Sequence, residues 1–483
     1  MAVYRKLIEG IKKILTPAKR PKTTTQTEST LRPQNNAQSH AAHRIPRDEH
    51  TVSRKQISKN ALKVLYKLNQ AGYEAYLVGG CVRDILLDKK PKDFDVVTNA
   101  SPDEVNDLFR NCRLVGRRFV LAHIHFGREI IEVATFRAQH DSKKGEGVTV
   151  DGRIVRDNVY GTLNDDIWRR DFTTNALYYD ISDFSIIDYA DGVRDLDDGV
   201  LRLLGDPIQR YQEDPVRMLR AARFAAKLNF DIAPQTAAPI EQLGHLLKGI
   251  PPARLYEEVL KLFLTGHAAQ SFEQLQKFHL FEHLFPQTDT FLDNEFAQTL
   301  IQQVLQNTDA RIAEQKTVTP AFLFMSLLWP PMLPYIKELR EQEVTEQDSI
   351  IGAGQTVLQI QSAHVFIPKR IVSIMQEIWL LQPRLTRRKD KRCFSVLEHS
   401  RFRAAYDFLV LRAAAGEEDI QESVDWWDEF QQTEQHKRHE MVQHSPRRPR
   451  KRNNKRRKKT TDSEDFSDSP DNQAPVDNKN EEA

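Results

Sequence analysis

The stretch that decides the fold is residues 75–98, AYLVGGCVRDILLDKKPKDFDVVT. Its first four residues predict a buried strand that ends at Gly79 and Gly80, and VRDILL predicts a helix that begins directly afterwards. Paired glycines between a strand and a helix let backbone N–H groups approach an anion, and the helix N-terminus adds a partial positive charge. The pattern is typical of a phosphate-binding turn, and also of an ordinary strand–helix turn.

Two carboxylates follow at the end of this stretch. Asp93 and Asp95 are two positions apart, so they share a face of an extended segment that continues into an apolar strand. Such a pair requires a neutralising cation, and oxygen ligands without sulfur favour magnesium or manganese. A third acid, Glu132, lies in the apolar run IIEVA and needs a partner, either a metal ion or a base such as Arg137. The acids together suit two-metal phosphoryl transfer, and the alternative is a solvated turn.

Three further stretches carry charged residues in suggestive patterns. RRDFTTNA at 169–176 locally predicts a helix start capped by Asp171 or Thr173, and GVRDLDDGVLR at 192–202 predicts a turn and a hairpin. In EDPVRMLRAAR at 213–223, Asp214 before a proline predicts a helix cap. Arginines recur there every third residue, which suits either a grip on a triphosphate and a base edge or a solvated helix face. They are Arg217, Arg220 and Arg223.

Around these motifs the element order is β-α-β-α-β-β, which predicts a small mixed sheet with helices on one side. After about Pro215 the apolar period becomes helical and strand signals almost vanish. The predicted fold class is therefore α+β, with a mixed-sheet head followed by an all-helical part and disordered termini.

Composition excludes several classes of protein. The 483 residues are 40% hydrophobic and 29% charged, and no run approaches the roughly 20 apolar residues of a spanning helix. Cys81, Cys112 and Cys393 are too few and too scattered for a disulfide scaffold or a cysteine zinc site, which fits a reducing compartment. The first residues lack the pattern of a secretory signal, so we expect a cytoplasmic protein, acting as a monomer.

Both ends of the chain carry basic segments. Residues 4–15 combine apolar residues at helical spacing with a basic face, which predicts a short helix. Packing on the protein's own body is favoured over peripheral association with an anionic membrane. Residues 447–459 carry ten positive charges and no negative one, and an acidic segment follows them. The ten predicted RNA-binding residues are Arg447, Arg448, Arg450, Lys451, Arg452, Lys455, Arg456, Arg457, Lys458 and Lys459. Proteins of RNA decay are the other candidate partners of this tail.

Five stretches in this order resemble the motifs of the class II nucleotidyltransferases, the family of the tRNA CCA-adding enzymes and the bacterial poly(A) polymerases. They are LVGGCVRD, DFDVVT, RRDFTTNAL, GVRDLDDGVLR and EDPVRMLRAARFAAKL. A sixth, LVGRRFVLAHI at 114–124, looks like the signature that separates the bacterial poly(A) polymerases from the CCA-adding enzymes. PPARLYEEVLKLF, FRAAYDFLVLRA and the basic tail also resemble the poly(A) polymerases. One departure is Thr174, where the family carries an apolar residue.

The resemblance implies a role for each matching residue. Asp93 and Asp95 would hold two magnesium ions, with Glu132 as a less secure third ligand and Asp171 as a further active-site acid. Gly80 and Arg83 would contact the triphosphate of ATP, the substrate, and Gly79 and Arg170 would also bind the nucleotide. Asp214 and Arg217 would read the base, with Arg220 and Arg223 on the phosphates or supporting that face.

The resemblance also implies a domain order. We expect an arm at 1–55, a DNA polymerase beta-like catalytic head at 56–205, and a helical neck for base and RNA binding at 206–290. An arginine-rich, RNA-binding helical body would follow at 291–435 and a disordered tail at 436–483.

The expected reaction is template-independent addition of AMP from ATP to the single-stranded 3′ end of RNA, with release of pyrophosphate, in the service of RNA turnover. One alternative is a CCA-adding enzyme, which would also use CTP and stop after a fixed number of additions. The other is a non-catalytic RNA-binding adaptor. Loss of Asp93 or Asp95 would favour the adaptor, and both are present.

Overall fold

The computed structural model describes residues 42–116, 120–138, 148–150, 153–156, 160–388, 392–417 and 419–443. It divides into two compact units, residues 1–250 with 273–280, and residues 251–272 with 281–483. The predicted helix at 4–15 and the ten basic residues of the tail lie outside the described residues, as do positions 117–119 of the GRRF stretch.

Short strands build the sheet of the first unit. They are β1 His43–Ile45, β2 Ala75–Val78, β3 Asp95–Thr98, β4 Cys112–Val115, β5 Leu121–Phe126, β6 Glu129–Thr135, β7 Val148–Val150, β8 Arg153–Arg156, β9 Leu177–Asp180, β10 Ile186–Asp188, β11 Val200–Leu201 and β12 Asp231–Ile232. Eight of them form one sheet in the order β1-β10-β9-β2-β3-β6-β5-β4. Within it β3 and β6 are parallel and the other neighbours are antiparallel, so the sheet is mixed, as predicted.

Short helices surround this sheet. They are α1 Lys59–Gln70, α2 Gly80–Leu86, α3 Pro102–Leu108, α4 Leu163–Trp168, α5 Gly192–Asp197, α6 Pro207–Glu213, α7 Val216–Leu228, α8 Pro234–Ala237 and α9 Ile240–Leu243, with 3-10 turns at Arg47–Glu49, Arg54–Gln56, Thr173–Asn175 and Gly244–Gly249. The side chains of Ser58 and Ser101 cap α1 and α3, because each accepts a hydrogen bond from a backbone N–H of the first turn.

Around β2 and β3 the sheet is covered on both faces. One face packs its apolar side chains, among them Leu77, Val96 and Ile131, against α1 and α3. The other face carries Tyr76 and Val97, which pack with Ile167 of α4 and other apolar residues in a second, smaller core. The expectation of helices on one side was therefore wrong around β2 and β3.

Helices account for all the regular structure described in the second unit. They are α10 Pro252–Phe263, α12 Phe281–Leu284, α13 Pro286–Asp289, α14 Glu295–Ala313, α15 Pro320–Leu327, α16 Trp329–Glu341, α17 Glu346–Gln361, α18 Lys369–Leu385, α19 Arg392–Leu397, α20 Phe402–Ala414, α21 Gln421–Gln432 and α22 Gln435–Gln443, while α11 Ala268–Lys277 has residues in both units. Buried aromatic side chains fill its core, and the indoles of Trp379 and Trp427 donate to the carbonyls of Met325 and Leu385. No helix in the described part of the chain is both long enough and apolar enough to cross a bilayer.

Three local features differ from the sequence-based expectations. The predicted arm at 1–55 overlaps β1, which pairs with β10 while Arg44 contacts Asp180. The predicted tail at 436–483 begins inside α22, where the His439 ring stacks on Phe394 at 4.6 Å. In both places long-range contacts order polar sequence.

The third difference concerns the predicted hairpin at 192–202. Its first half is helix α5, and only Val200–Leu201 is a strand, which pairs in parallel with β12. The physical reason lies outside the motif, because the carboxylate of Asp188 accepts hydrogen bonds from the backbone N–H groups of Gly192 and Val193 and starts the helix.

Candidate active site

The glycine turn has the geometry that the sequence predicts. Strand β2 ends at Val78, Gly79 has φ +75°, and α2 begins at Gly80. A positive φ favours glycine, and the absence of a side chain leaves the backbone approachable. A Cβ on Gly79 would lie 3.5 Å from Nη1 of Arg170, so this guanidinium sits directly against the turn. The turn therefore combines backbone N–H groups with a fixed positive charge, the requirements of a phosphate site.

Asp95 and Glu132 lie side by side on parallel strands. Asp95 opens β3, two residues after Asp93, and its register partner on β6 is Glu132. Asp95 is exposed at the surface, but the neighbouring protein still displaces part of the water around its carboxylate. This desolvation, followed by the negative charge of Glu132, raises the pKa of Asp95 to about 6, although Arg170 opposes the shift. Negative charge is therefore in excess here, as a cation site requires.

The donor set fits magnesium. Mg²⁺ is commonly held by one or two carboxylates together with substrate phosphates and water, and Asp93 and Asp95 supply two such oxygen donors. Within the described part of the chain no three His, Cys, Asp or Glu side chains gather around one point that could hold a metal ion. Glu132 has its Oε1 3.6 Å from Nε2 of His123, and its role as a third ligand stays a prediction.

Asp166 organises the arginines of the RRD motif, and sequence reasoning missed it. This fully buried carboxylate accepts hydrogen bonds from Arg169, from Nε and Nη2 of Arg170 at 3.2 and 2.9 Å, and from the Tyr178 hydroxyl at 2.8 Å. Burial by itself would raise the pKa of Asp166, but the charges of Arg170 and Arg169 outweigh it and hold the pKa below its usual value. A signal existed in the sequence, because an acid three and four residues before two arginines can contact both on a helix.

Asp171 joins the RRD motif to helix α7. Its carboxylate accepts hydrogen bonds from Nε of Arg220 at 2.8 Å, from Asn175 at 3.1 Å and from the backbone N–H of Phe172. Burial opposes ionisation, yet Arg220 holds the pKa of Asp171 below its usual value. The predicted helix start was wrong, since Arg169 and Arg170 follow the end of α4 and only a short 3-10 turn comes afterwards.

Three arginines meet around the ring of Phe224. The guanidinium carbons of Arg83, Arg220 and Arg223 lie 5.4, 5.2 and 4.5 Å from its centre. Arg83 is only 2% exposed and donates to Asp84 and to Asn175 Oδ1. A purely solvated helix face, the alternative for the arginine ridge, does not describe this arrangement. The aromatic ring attracts guanidinium groups from both α2 and α7. These two helices are far apart in sequence.

Asp214 lies at the junction of α6 and α7. Its Oδ1 accepts a hydrogen bond from the backbone N–H of Val216 at 3.2 Å, so the predicted capping contact is present. Arg217 donates to the carbonyl of Arg210 at 2.7 Å and to Glu213 at 3.0 Å. The capping contact and the base-reading role of Asp214 are compatible, because each oxygen of a carboxylate can accept more than one hydrogen bond.

The stretch at 192–202 packs against the 3-10 turn Thr173–Asn175 that follows the RRD motif. Asp195 accepts hydrogen bonds from Thr173 Oγ1 at 2.7 Å and from Arg202. A Cβ at Gly192 would lie 2.4 Å from the carbonyl oxygen of Thr173, so only glycine fits there. The neighbouring Thr174 is fully buried, and in the described structure its hydroxyl has no hydrogen-bond partner. An apolar side chain, which the resemblance implies at this position, would leave no such hydroxyl unpaired.

Three family models match the chain. They are the poly(A) polymerase head domain over residues 75–202, the probable RNA and SrmB-binding site of polymerase A over 229–292, and the arginine-rich C-terminus of polymerase A over 342–461. The head model spans the glycine turn, the carboxylates and the RRD motif.

Individual relatives agree with these models. Poly(A) polymerase I of Salmonella typhimurium is 52% identical over 396 residues, 80% of this chain and 85% of that protein. The CCA-adding enzyme of Lactobacillus helveticus is 38% identical over 216 residues, 44% of this chain and 52% of that enzyme. One similar solved structure is a tRNA nucleotidyltransferase complexed with a primer tRNA and an incoming ATP analogue. Its TM-score is 0.52 at 25% identity, and the match covers 76% of this chain and 97% of the nucleotidyltransferase chain.

The fold, the site and these matches define an RNA nucleotidyltransferase, which confirms the prediction of an enzyme and of its head domain. Within that class the chain belongs to the poly(A) polymerase I family. Sequence similarity to the CCA-adding enzyme of Lactobacillus helveticus extends over less than half of the chain, whereas similarity to poly(A) polymerase I extends over 80% of it, so the polyadenylating interpretation stands over the CCA-adding one. Neither the CCA-adding nor the adaptor alternative has comparable support.

Proposed function

We propose that the chain transfers AMP from ATP to the 3′-hydroxyl of RNA, without a template, at the edge formed by Asp93 and Asp95. The observation that carries this proposal is the position of Asp95, which pairs with Val78 at the end of β2 and so lies beside the glycine turn against which Arg170 sits. The 3′-hydroxyl of the RNA loses its proton to solvent as its oxygen attacks the α-phosphorus, the bond from that phosphorus to the bridging oxygen breaks, and pyrophosphate leaves. Two magnesium ions would lower the charge on the attacking and leaving oxygens when bound at Asp93 and Asp95.

The chain's own residues would bind and orient the substrates. The backbone N–H groups at Gly79 and Gly80 and the guanidinium of Arg170 would bind the triphosphate. Arg83 is held by Asn175 and Asp84, so it would act from beneath the turn, while Arg220 and Arg223 would add positive charge from α7. Asp171 would hold Arg220 in place for that purpose.

Incubation with a generic RNA and each of the four nucleoside triphosphates in turn tests the proposal. Extension without a fixed limit with ATP alone is the expected result. Limited addition that needs both CTP and ATP would instead favour a CCA-adding enzyme. Absence of any addition, with RNA still bound, would favour the adaptor.

Replacement of Asp214 by alanine should relax the choice of base more than it weakens RNA binding. A site that hydrogen-bonds a base edge rejects the wrong base because its polar groups would be left unpaired. We expect the ratio of kcat/KM for ATP to that for CTP to fall by about 10-fold or more. Since Asp214 also contacts the Val216 N–H, an unchanged ratio with a lower melting temperature would assign it to capping alone.

Deletion of residues 446–483 should weaken RNA binding and flatten its salt dependence while chemistry on short primers continues. The ten positive charges at 447–459 would release counterions from single-stranded RNA, with a slope of roughly −0.7 per phosphate neutralised. If only some of the ten charges contact RNA at once, the deletion should reduce the slope of log K against log salt concentration by about three to six. Binding of a single-stranded RNA is measured at several salt concentrations for both proteins. Identical log–log slopes would leave proteins of RNA decay as the partners of the tail. We expect the enzyme to act in the cytoplasm as a monomer.

A further inference from the structure

The order of the strands separates two approaches to the catalytic carboxylates. On one side of β3 lies β2, which ends at the Gly79 turn, and on the other side lie β6, β5 and β4. Phosphoryl transfer needs the attacking and leaving oxygens on opposite sides of the phosphorus. If the triphosphate occupies the turn after β2, pyrophosphate leaves toward β2. The attacking 3′-hydroxyl must then arrive from the side of β6.

The surface on that side is here called the open face, and it lies on the outer side of β4, β5 and β6. It comprises Arg113, His123, His125, Ile130 and Glu132, which alternate with residues of the core on the same strands. The strand register places Arg113, His123, Glu132 and Asp95 in one row across the sheet, and His125 opposite Ile130 in the next row. The row thus leads directly to a catalytic carboxylate.

The open face begins where the second core ends. Around β2 and β3 that side of the sheet is covered by residues such as Ile167 of α4. From β6 outward the side chains of Arg113 and Glu132 are exposed, Ile130 is 42% exposed, and the two histidines are half-buried. Ile130, His123 and His125 therefore form a small, partly apolar surface beside the charged side chains of Arg113 and Glu132.

The chemistry of the open face fits single-stranded RNA. Unstacked bases pack on aromatic side chains, including histidine, and arginine binds phosphate. The rings of His123 and His125 have centroids 6.5 Å apart and planes tilted by 53°, so they are not stacked on each other. Neighbouring strands are about 4.8 Å apart, so the row from Asp95 to Arg113 spans about 14 Å.

We propose that the open face is the platform for the 3′-terminal nucleotides of the RNA primer, with His125 and Ile130 under a base and Arg113 on a phosphate. The inference rests on the proposed function and assigns substrate contacts to residues outside the nucleotide-binding turn. A peptide strand added along the edge of β4 is the competing occupant, and the test separates the two.

The test compares His125→Ala with His125→Phe, and Arg113→Ala with a control, Arg194→Ala, on the exposed surface of α5. Full-length protein extends a short single-stranded oligoadenylate with ATP, and KM is measured separately for the oligonucleotide and for ATP. Loss of one stacking contact should raise KM for the RNA by about 10-fold in His125→Ala, while His125→Phe stays within about 3-fold of wild type. Arg113→Ala should raise the same constant, and KM for ATP should change little in every variant.

Recovery by phenylalanine distinguishes stacking from a merely structural role, since folding defects would lower all rates and the melting temperature. Equal RNA KM values for wild type, His125→Ala and Arg113→Ala would overturn the proposal and leave the open face to a protein partner. A wild-type protein that fails to extend RNA at all would instead overturn the proposed function.

Discussion

Replacement of Asp93 or Asp95 by asparagine should reduce nucleotide addition by about 10³-fold or more. Each aspartate supplies one negative charge to a divalent cation, and an amide of the same size removes that charge while keeping the shape. Positioning and electrostatics provide most of the catalysis in phosphoryl transfer, so no other group in the site compensates for a lost metal ligand. Asp95 has the excess of negative charge around it that a cation would relieve.

Initial rates of AMP incorporation at saturating ATP, RNA and magnesium measure this effect. Asp107→Asn is the matched control, because Asp107 is an exposed acid of α3 in the same unit. The melting temperatures of all three variants should stay near that of wild type. Turnover close to wild type in either Asp93→Asn or Asp95→Asn would remove the metal assignment.

The fold of the head could be predicted because its signals are local. The strand before Gly79, the caps Ser58 and Ser101, and the alternation in β6 each depend on neighbours within a few residues. Helix α5 could not be predicted in the same way, because its first N–H groups are satisfied by Asp188, which lies outside the motif. The motif alone contained the turn residues of a hairpin.

The candidate site shows even more clearly that contacts between distant residues cannot be predicted from local sequence patterns. Sequence patterns named the residues Asp171 and Arg220, but 49 positions separate the two partners of this ion pair. Nor does any pattern show that Phe224 gathers arginines from two helices. Such contacts depend on how the helices pack, which a single sequence does not report. Asp166 was missed for a different reason, since its local signal was present but its helix is only six residues long.

Replacement of Asp166 by asparagine should destabilise the protein by about 3–5 kcal/mol and raise KM for ATP about 10-fold or more. The carboxylate is completely buried and is the acceptor for Arg169, Arg170 and Tyr178. Without the charge of Asp166, the guanidinium groups of Arg169 and Arg170 lose their anionic partner where little water can replace it. Arg170 then loses the contacts that hold its guanidinium against the Gly79 turn. A triphosphate bound at that turn would therefore lose the positive charge of Arg170.

Thermal unfolding and steady-state kinetics below the melting temperature together decide this prediction. Asp165→Asn is the matched control, since Asp165 is a partly buried neighbour whose carboxylate accepts hydrogen bonds from the backbone N–H and the hydroxyl of Thr162, and it should cost no more than about 1 kcal/mol. Because the pKa of Asp166 lies below its usual value of about 3.9, its ion pairs stabilise the fold fully at neutral pH. The difference from wild type should therefore be constant from pH 6 to 8 and shrink only as the pH falls below about 4. A positioning role requires KM for ATP to rise while KM for RNA stays unchanged. If both constants match wild type in a protein of lowered stability, Asp166 supports the fold alone and Arg170 keeps its place through Tyr178.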